Sequence, residues 1–138
     1  MLDITLKKMF VENIEYKYLN REKEDQKSNF RLGYSFNQLD KCLYEFGLNV
    51  LCVSDKDDSN LNIQVGMKVL LESKFDEADE LDSDELEYYL KNTGATILFP
   101  YIRNIIQTIS GYDSSGVNIV LPVINVAEVI QSIDNQDK

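Results

Sequence analysis

Chemistry in this chain would have to come from cysteine, lysine, tyrosine or carboxylate, because its 138 residues include no histidine. That removes the commonest general base and one of the usual zinc ligands. The two cysteines, Cys42 and Cys52, stand ten positions apart. On an extended segment rising ~3.3 Å per residue they are too distant to bridge, so both read as reduced thiols. Only Cys42 has a basic neighbour, Lys41, that would favour a thiolate. The run SDKDDSN at 54–60 looks like a calcium loop but lacks the glycine and the terminal glutamate such a loop needs. The six glycines are scattered and build no phosphate-binding loop. Carboxylates are plentiful, but they crowd into polar stretches and avoid apolar faces, where a raised pKa would suit them to acid–base work. The expectation is therefore no catalytic residue, no metal and no cofactor.

What remains is surface chemistry. Eight Tyr and six Phe are more aromatic residues than one small core needs. Tyr88, Tyr89, Tyr101 and Tyr112 are read as clustering around the helix starts. With Leu98 and Phe99 they are candidates to line a groove that takes apolar segments without demanding one sequence. An extended segment can also add main-chain hydrogen bonds along a sheet edge.

These residues need a scaffold, and the length is that of one domain spanning 1–138. A core of that size gains from oligomerisation. The net charge of −10 speaks against nucleic acid and favours a basic partner. No apolar run approaches the twenty residues of a membrane span, and MLDITLKKMF lacks the apolar centre of a signal peptide. A cytoplasmic location is expected.

Alternation predicts four strands. Residues 9–20 place Phe10, Ile14, Tyr16 and Tyr18 on one face and Val11, Asn13, Glu15 and Lys17 on the other. A polar turn at 20–28 leads to a strand at 28–37, with Phe30, Leu32, Tyr34 and Phe36 on one side. Residues 41–54 read as a strand apolar on both faces, with Gly47 marking a bulge. Residues 60–75 align Leu61, Ile63, Val65, Met67, Val69, Leu71 and Phe75. Short polar turns between them predict an antiparallel meander or a close variant of one, with one face covered by C-terminal helices, an α+β fold.

An acidic linker is expected at 76–87, with Ser83 capping a short helix that Gly94 ends. The main helix then runs about 97–110, with Pro100 in its first turn and Gly111 as its cap. Its apolar face is wide. Leu98, Ile102, Ile105 and Ile109 repeat at four, three and four, and Phe99, Tyr101 and Ile106 broaden the stripe. Such a helix needs cover from two directions, and Ile102, Ile105, Ile106 and Ile109 are the candidate subunit interface. VNIVLPVI is extended before its proline, and Asn125 with Glu128 starts a terminal helix at about 126–134.

The stretch LFPYIRNII, a glycine-containing loop and then LPVIN resembles the SecB family of protein-export chaperones. The matching residues are Leu98, Phe99, Pro100, Tyr101, Arg103, Leu121, Pro122, Ile124 and Asn125. The likeness covers the last third of the chain, and the first two thirds agree in strand pattern. It implies a four-stranded antiparallel sheet with two helices packed on one face and a dimer-of-dimers assembly, a tetramer. It also implies a function as an ATP-independent holdase for unfolded chains and preproteins, in export or quality control. The same resemblance implies docking to the export motor SecA through carboxylates on the first and fourth strands. The corresponding positions here are Asn13, Lys17 and Lys68, one neutral and two basic. That departure opens the alternative of a dedicated chaperone or adaptor of one partner, such as an antitoxin of a toxin–antitoxin system, or of an interaction protein that is no chaperone.

Overall fold

The computed structural model describes residues 2–20, 29–56, 59–74, 82–111 and 126–136. Residues 21–28 of the expected turn, Phe75, the acidic residues up to 81, Tyr112 and the whole run 112–125 lie outside the described residues.

Four strands come first: β1 (Asp3–Asn20), β2 (Asn29–Asp40), β3 (Leu43–Lys56) and β4 (Ser59–Lys74). They form one antiparallel sheet in the order β1-β4-β3-β2, so β1 and β2 are its two edges and the sheet is not a simple meander: β2, β3 and β4 follow one another, but β1 pairs with β4 and not with β2. Two helices follow, α1 (Ser83–Gly111) and α2 (Val126–Gln136). α1 packs across β3 and β4 and is itself contacted by α2. The α+β architecture expected from the alternation is the one found. Among the described residues no helix is long and apolar enough to cross a membrane.

The core lies between α1 and the inner face of the two central strands. β3 contributes Tyr44, Phe46, Leu48, Val50 and Cys52, and β4 contributes Ile63, Val65, Met67, Val69 and Leu71. Strict alternation is the reason: every second residue is apolar, so one pleat face is buried whole. From α1 come Leu86, Leu90, Ala95, Leu98, Phe99, Ile102 and Ile106, and from α2 comes Ile130.

Four details depart from the alternation and breaker rules. β1 begins at Asp3, six residues before the expected start, pairing its first turn of strand with the end of β4. Its register shifts twice, leaving Lys7 and Glu12 as bulged residues. Each bulge resets the alternation, so Val11, not Phe10, shares a face with Ile14 and Tyr16. Gly47 is not a bulge, since it pairs regularly with Ser35 and Lys68, and the shift in β2 falls between Gln38 and Asp40.

The helix is also one piece. Gly94 does not break it, and Pro100 sits well inside it, outside its first turn. A methyl at Gly94 would land 2.5 Å from the ring of Phe46, so glycine is what lets the helix lie this close to β3. Pro100 and Thr96 are both exposed. The carbonyl that loses its partner to proline, that of residue 96, is on the solvent side, where water can satisfy it. The cap is Asp82 and not Ser83: its carboxylate accepts from the Glu85 N–H at 2.8 Å, close to the positive helix end.

Buried positions along α1 recur at every fourth residue: Leu86, Leu90, Gly94, Leu98, Ile102, Ile106 and Ser110. With 3.6 residues per turn, each four-residue step advances the stripe by about 40°. Over six steps it winds about 240° around the helix. One helix thereby presents different sides to the sheet and to α2.

Candidate functional site

Among the described residues, the inner face of β1 holds a run of partly uncovered apolar side chains. Opposite the buried residues of β4 lie, in order, Ile4, Leu6, Met9, Val11, Ile14 and Tyr16. α1 covers β3 and β4 and leaves this edge strand partly open. Ile4, Met9 and Tyr16 pack against the core, while Leu6, Val11 and Ile14 are 46%, 44% and 44% exposed. The three form a ridge along a sheet edge. This is the stripe that reading the alternation from Phe10 missed. Its signal is in the sequence: apolar residues spaced two, three, two, three and two, with a charged residue filling each gap of three.

On α1 the candidate residues separate into two groups. Leu98, Phe99, Ile102 and Ile106 are buried inside this chain's own core, so their surface is already in use. Ile105 and Ile109 are half-buried and pack against that core. Tyr88, Tyr89 and Tyr101 are exposed, and the first two rings meet edge to face at 5.7 Å. Tyr112 lies outside the described residues. The exposed residues beyond Tyr89 are Thr96, Pro100, Tyr101, Asn104, Gln107 and Thr108, none of them charged. The half-buried Arg103 lies on the same stripe and is its one charge, and in a chain of net charge −10 a helix face of that length without a carboxylate has the composition of an interface.

At the opposite edge, three elements meet on Lys91. Its ammonium donates to the hydroxyl oxygen of Tyr34 at 3.1 Å and to Asp134 at 3.4 Å, with Glu87 at 3.9 Å one turn back on α1. It sits 4.9 Å over the ring of Tyr34 and 5.7 Å over that of Phe36. Tyr34 in turn donates to the other oxygen of Asp134. Burial pushes the Tyr34 hydroxyl above its ordinary pKa, and its bond to Asp134 adds to that. Burial pulls Lys91 down, but the hydrogen bond with Tyr34 and the charges of Glu87 and Asp134 outweigh it, and the ammonium is held above its ordinary value. Beneath lie two stacked pairs, Tyr34 on Phe46 at 6.0 Å and Phe36 on Tyr44 at 5.6 Å. No sequence pattern announces this cluster, because Tyr34, Lys91 and Asp134 stand 43 to 100 positions apart.

The outer face of the sheet is polar. Asn13 pairs with Gly66, Lys17 with Asn62 and Phe10 with Lys68, so the three positions that stand where the resemblance implies docking carboxylates share this face. Lys68 is ion-paired to Glu12 at 3.5 Å and to Glu45 at 3.3 Å. Gly33, Gly47 and Gly66 line a shallow cavity of about 740 Å³ beside them. The face carries interleaved charges of both signs and no acidic patch at the matched positions. Among the described residues no three Cys, Asp or Glu side chains gather as a metal would require.

The order β1-β4-β3-β2 with a long helix across the central strands defines an α+β, SecB-like fold. Comparison with solved structures supports the same assignment. A SecB-like chaperone of Mycobacterium tuberculosis, solved in complex with a ChAD peptide from the HigA1 antitoxin, superposes with a TM-score of 0.59 at 14% identity, over 88% of this chain and 90% of that one. A protein of unknown function from Streptococcus agalactiae superposes with a TM-score of 0.51 at 16% identity, over 89% of this chain and 99% of that one. No protein-family model and no curated protein matches the sequence.

Proposed function

We propose that this protein is a SecB-like chaperone, an ATP-independent holdase that keeps extended or unfolded segments from aggregating and does no catalysis. The observation that carries the reading is the open ridge of Leu6, Val11 and Ile14 on an edge strand of this fold. Apolar side chains along a strand offer burial worth about 25 cal/mol per Å², before the cost of ordering the bound segment. The face of α1 that lacks carboxylates, with Tyr101 along one side of it, supports self-association into a homo-oligomer, and the location proposed for it is the cytoplasm. Tyr88 and Tyr89 extend the apolar surface at the start of the same helix.

A second reading keeps the fold and narrows the client to one dedicated partner. The M. tuberculosis neighbour, solved with an antitoxin peptide, favours it. So does the outer face of the sheet, where Asn13, Lys17 and Lys68 stand in place of docking carboxylates and argue against handover to an export motor.

The test is suppression of aggregation of three unrelated unfolded proteins by the wild type and by the Val11→Ser, Ile14→Ser double variant. The general holdase reading expects suppression of all three by the wild type and a several-fold loss in the variant, at an unchanged melting temperature. If the wild type suppresses none at several-fold excess, the general reading is wrong. Capture of one endogenous protein from the native cell would then support the dedicated reading.

A further inference from the structure

We propose that Lys91 and Tyr34 form a carboxylate-binding subsite at the β2 edge, occupied in cis by Asp134, so that α2 competes with a partner segment carrying an Asp or Glu side chain. The inference rests on the reading of this chain as a binder of extended segments. Its first support is that the site is built. Lys91 has a side chain only 14% exposed, and an ammonium so far removed from water needs an anion. Glu87 supplies a long contact at 3.9 Å from the same helix. Asp134 supplies two: one oxygen accepts from Lys91 at 3.4 Å, the other from the Tyr34 hydroxyl. Two donors from separate elements thus converge on the two oxygens of one carboxylate, an arrangement with the specificity of a two-point contact.

The second support is where the resident carboxylate comes from. Asp134 stands in the last turn of the eleven-residue α2, whose buried apolar anchor is Ile130. Among its described side chains Ile130 alone is fully buried, with Val129 and Ile133 half-buried, and a short helix at the chain's surface opens more readily than a core element.

The third is what lies around it. β2 is an edge strand paired without a register shift from Asn29 to Gln38, so its free side offers an unbroken row of backbone groups. On the inner side of that row sit Leu32, Tyr34 and Phe36, half-buried over Phe46 and Tyr44. An extended segment laid along β2 would place alternate apolar side chains on this shelf. One acidic side chain in the same row would then reach Lys91 and Tyr34, provided Asp134 left them.

The experiment uses the full chain and two labelled nine-residue peptides of alternating Val and Thr, acetylated and amidated at their ends. One has a central Asp and the other a central Asn. Binding is read by fluorescence anisotropy for the wild type, Asp134→Ala, Asp134→Ala with Lys91→Met, and Asp134→Ala with Tyr34→Phe. Circular dichroism establishes that each variant is folded, and the Tyr34→Phe pair serves if removal of Lys91 disrupts the core. The expected result is at least tenfold tighter binding of the Asp peptide to Asp134→Ala than to the wild type. No comparable gain is expected for the Asn peptide, and either second substitution should abolish the difference. Hydrogen exchange in α2 should also be faster in Asp134→Ala than in the wild type without peptide. The proposal is overturned if Asp134→Ala binds the two peptides alike or binds neither. Should it bind neither while the wild type still suppresses aggregation, the chaperone reading survives and only the subsite falls.

Discussion

Gly94 has a consequence opposite to the usual one for a glycine inside a helix. Replacing such a residue with alanine normally stabilises by up to about 1 kcal/mol. Here the added methyl would meet Cδ1, Cγ and Cβ of Phe46 at 2.5, 2.7 and 3.0 Å, atoms of a fully buried side chain with nowhere to go. Overpacking of this kind costs about 1–3 kcal/mol. Gly94→Ala should therefore lower the urea midpoint, and adding Phe46→Leu should restore part of the loss. An unchanged or higher midpoint for the single variant would show that α1 does not lie this close to β3.

Cys52 makes a second residue-scale prediction. It is buried, and burial pushes its thiol from an ordinary 9.0 to about 11. The folded state thus favours the neutral thiol more than the unfolded state does. Its contribution is complete below about pH 9 and is lost as pH rises through 11, where the folded thiol finally ionises too. The full effect is on the order of 2–3 kcal/mol. Urea midpoints at pH 8, 9 and 10 should fall more steeply for the wild type than for Cys52→Ala. Cys42 is exposed, so a thiol reagent at pH 8 should modify one cysteine of the native protein and the second only on unfolding.

At the scale of elements, the winding stripe on α1 changes what a charge on that helix does. Ile102 and Ile106 are fully buried in the chain's own core. Ile102→Asp places an unpaired carboxylate there, which costs several kcal/mol, so the subunit itself should lose its cooperative melt. The substitution suited to an interface is Tyr101→Asp, on the exposed side that lacks carboxylates. It should leave the melt within about 0.5 kcal/mol and reduce the mass seen by light scattering. The same elements show what a reader of the sequence can and cannot see. β2 and β4 were legible because Leu32 to Phe36 and Ile63 to Leu71 alternate without interruption. β1 is half legible, because the bulge at Glu12 puts Val11 on the face assigned to Phe10. α1 was divided in two because glycine and proline ordinarily punctuate. Here one meets an aromatic ring and the other faces water. The Lys91 cluster was invisible, since which lysine finds which carboxylate is decided only after β2, α1 and α2 have packed.

For the whole molecule, the balance between charge and apolar surface sets how binding responds to its surroundings. The chain carries −10, with 24 acidic against 14 basic residues. Association through the Leu6, Val11 and Ile14 ridge should persist from 0.1 to 1 M salt, because burial is not screened. Capture of a basic partner by the chain's charge alone should fade over that range as the screening length falls from about 10 to about 3 Å. Native mass measurement with and without an unfolded client across such a series separates the two. Loss of client above 0.3 M salt would show that charge, not the ridge, carries binding.

The two bulges of β1 also say where this chain tolerates a change of length. Lys7 and Glu12 are supernumerary: each faces a step in β4 where no partner residue exists. Excise Glu12 and Val11 runs straight on to Asn13, with every later side chain still on its proper face and every earlier one undisturbed. Excise Phe10 instead and, unless the Glu12 bulge is given up to compensate, all that precedes it turns inside out, carrying Leu6 to the solvent side and Lys8 to the core. The edge strand thus contains two places where a codon can be gained or lost in descent without rewriting the sheet, and the relatives of this protein can be expected to vary in length there first.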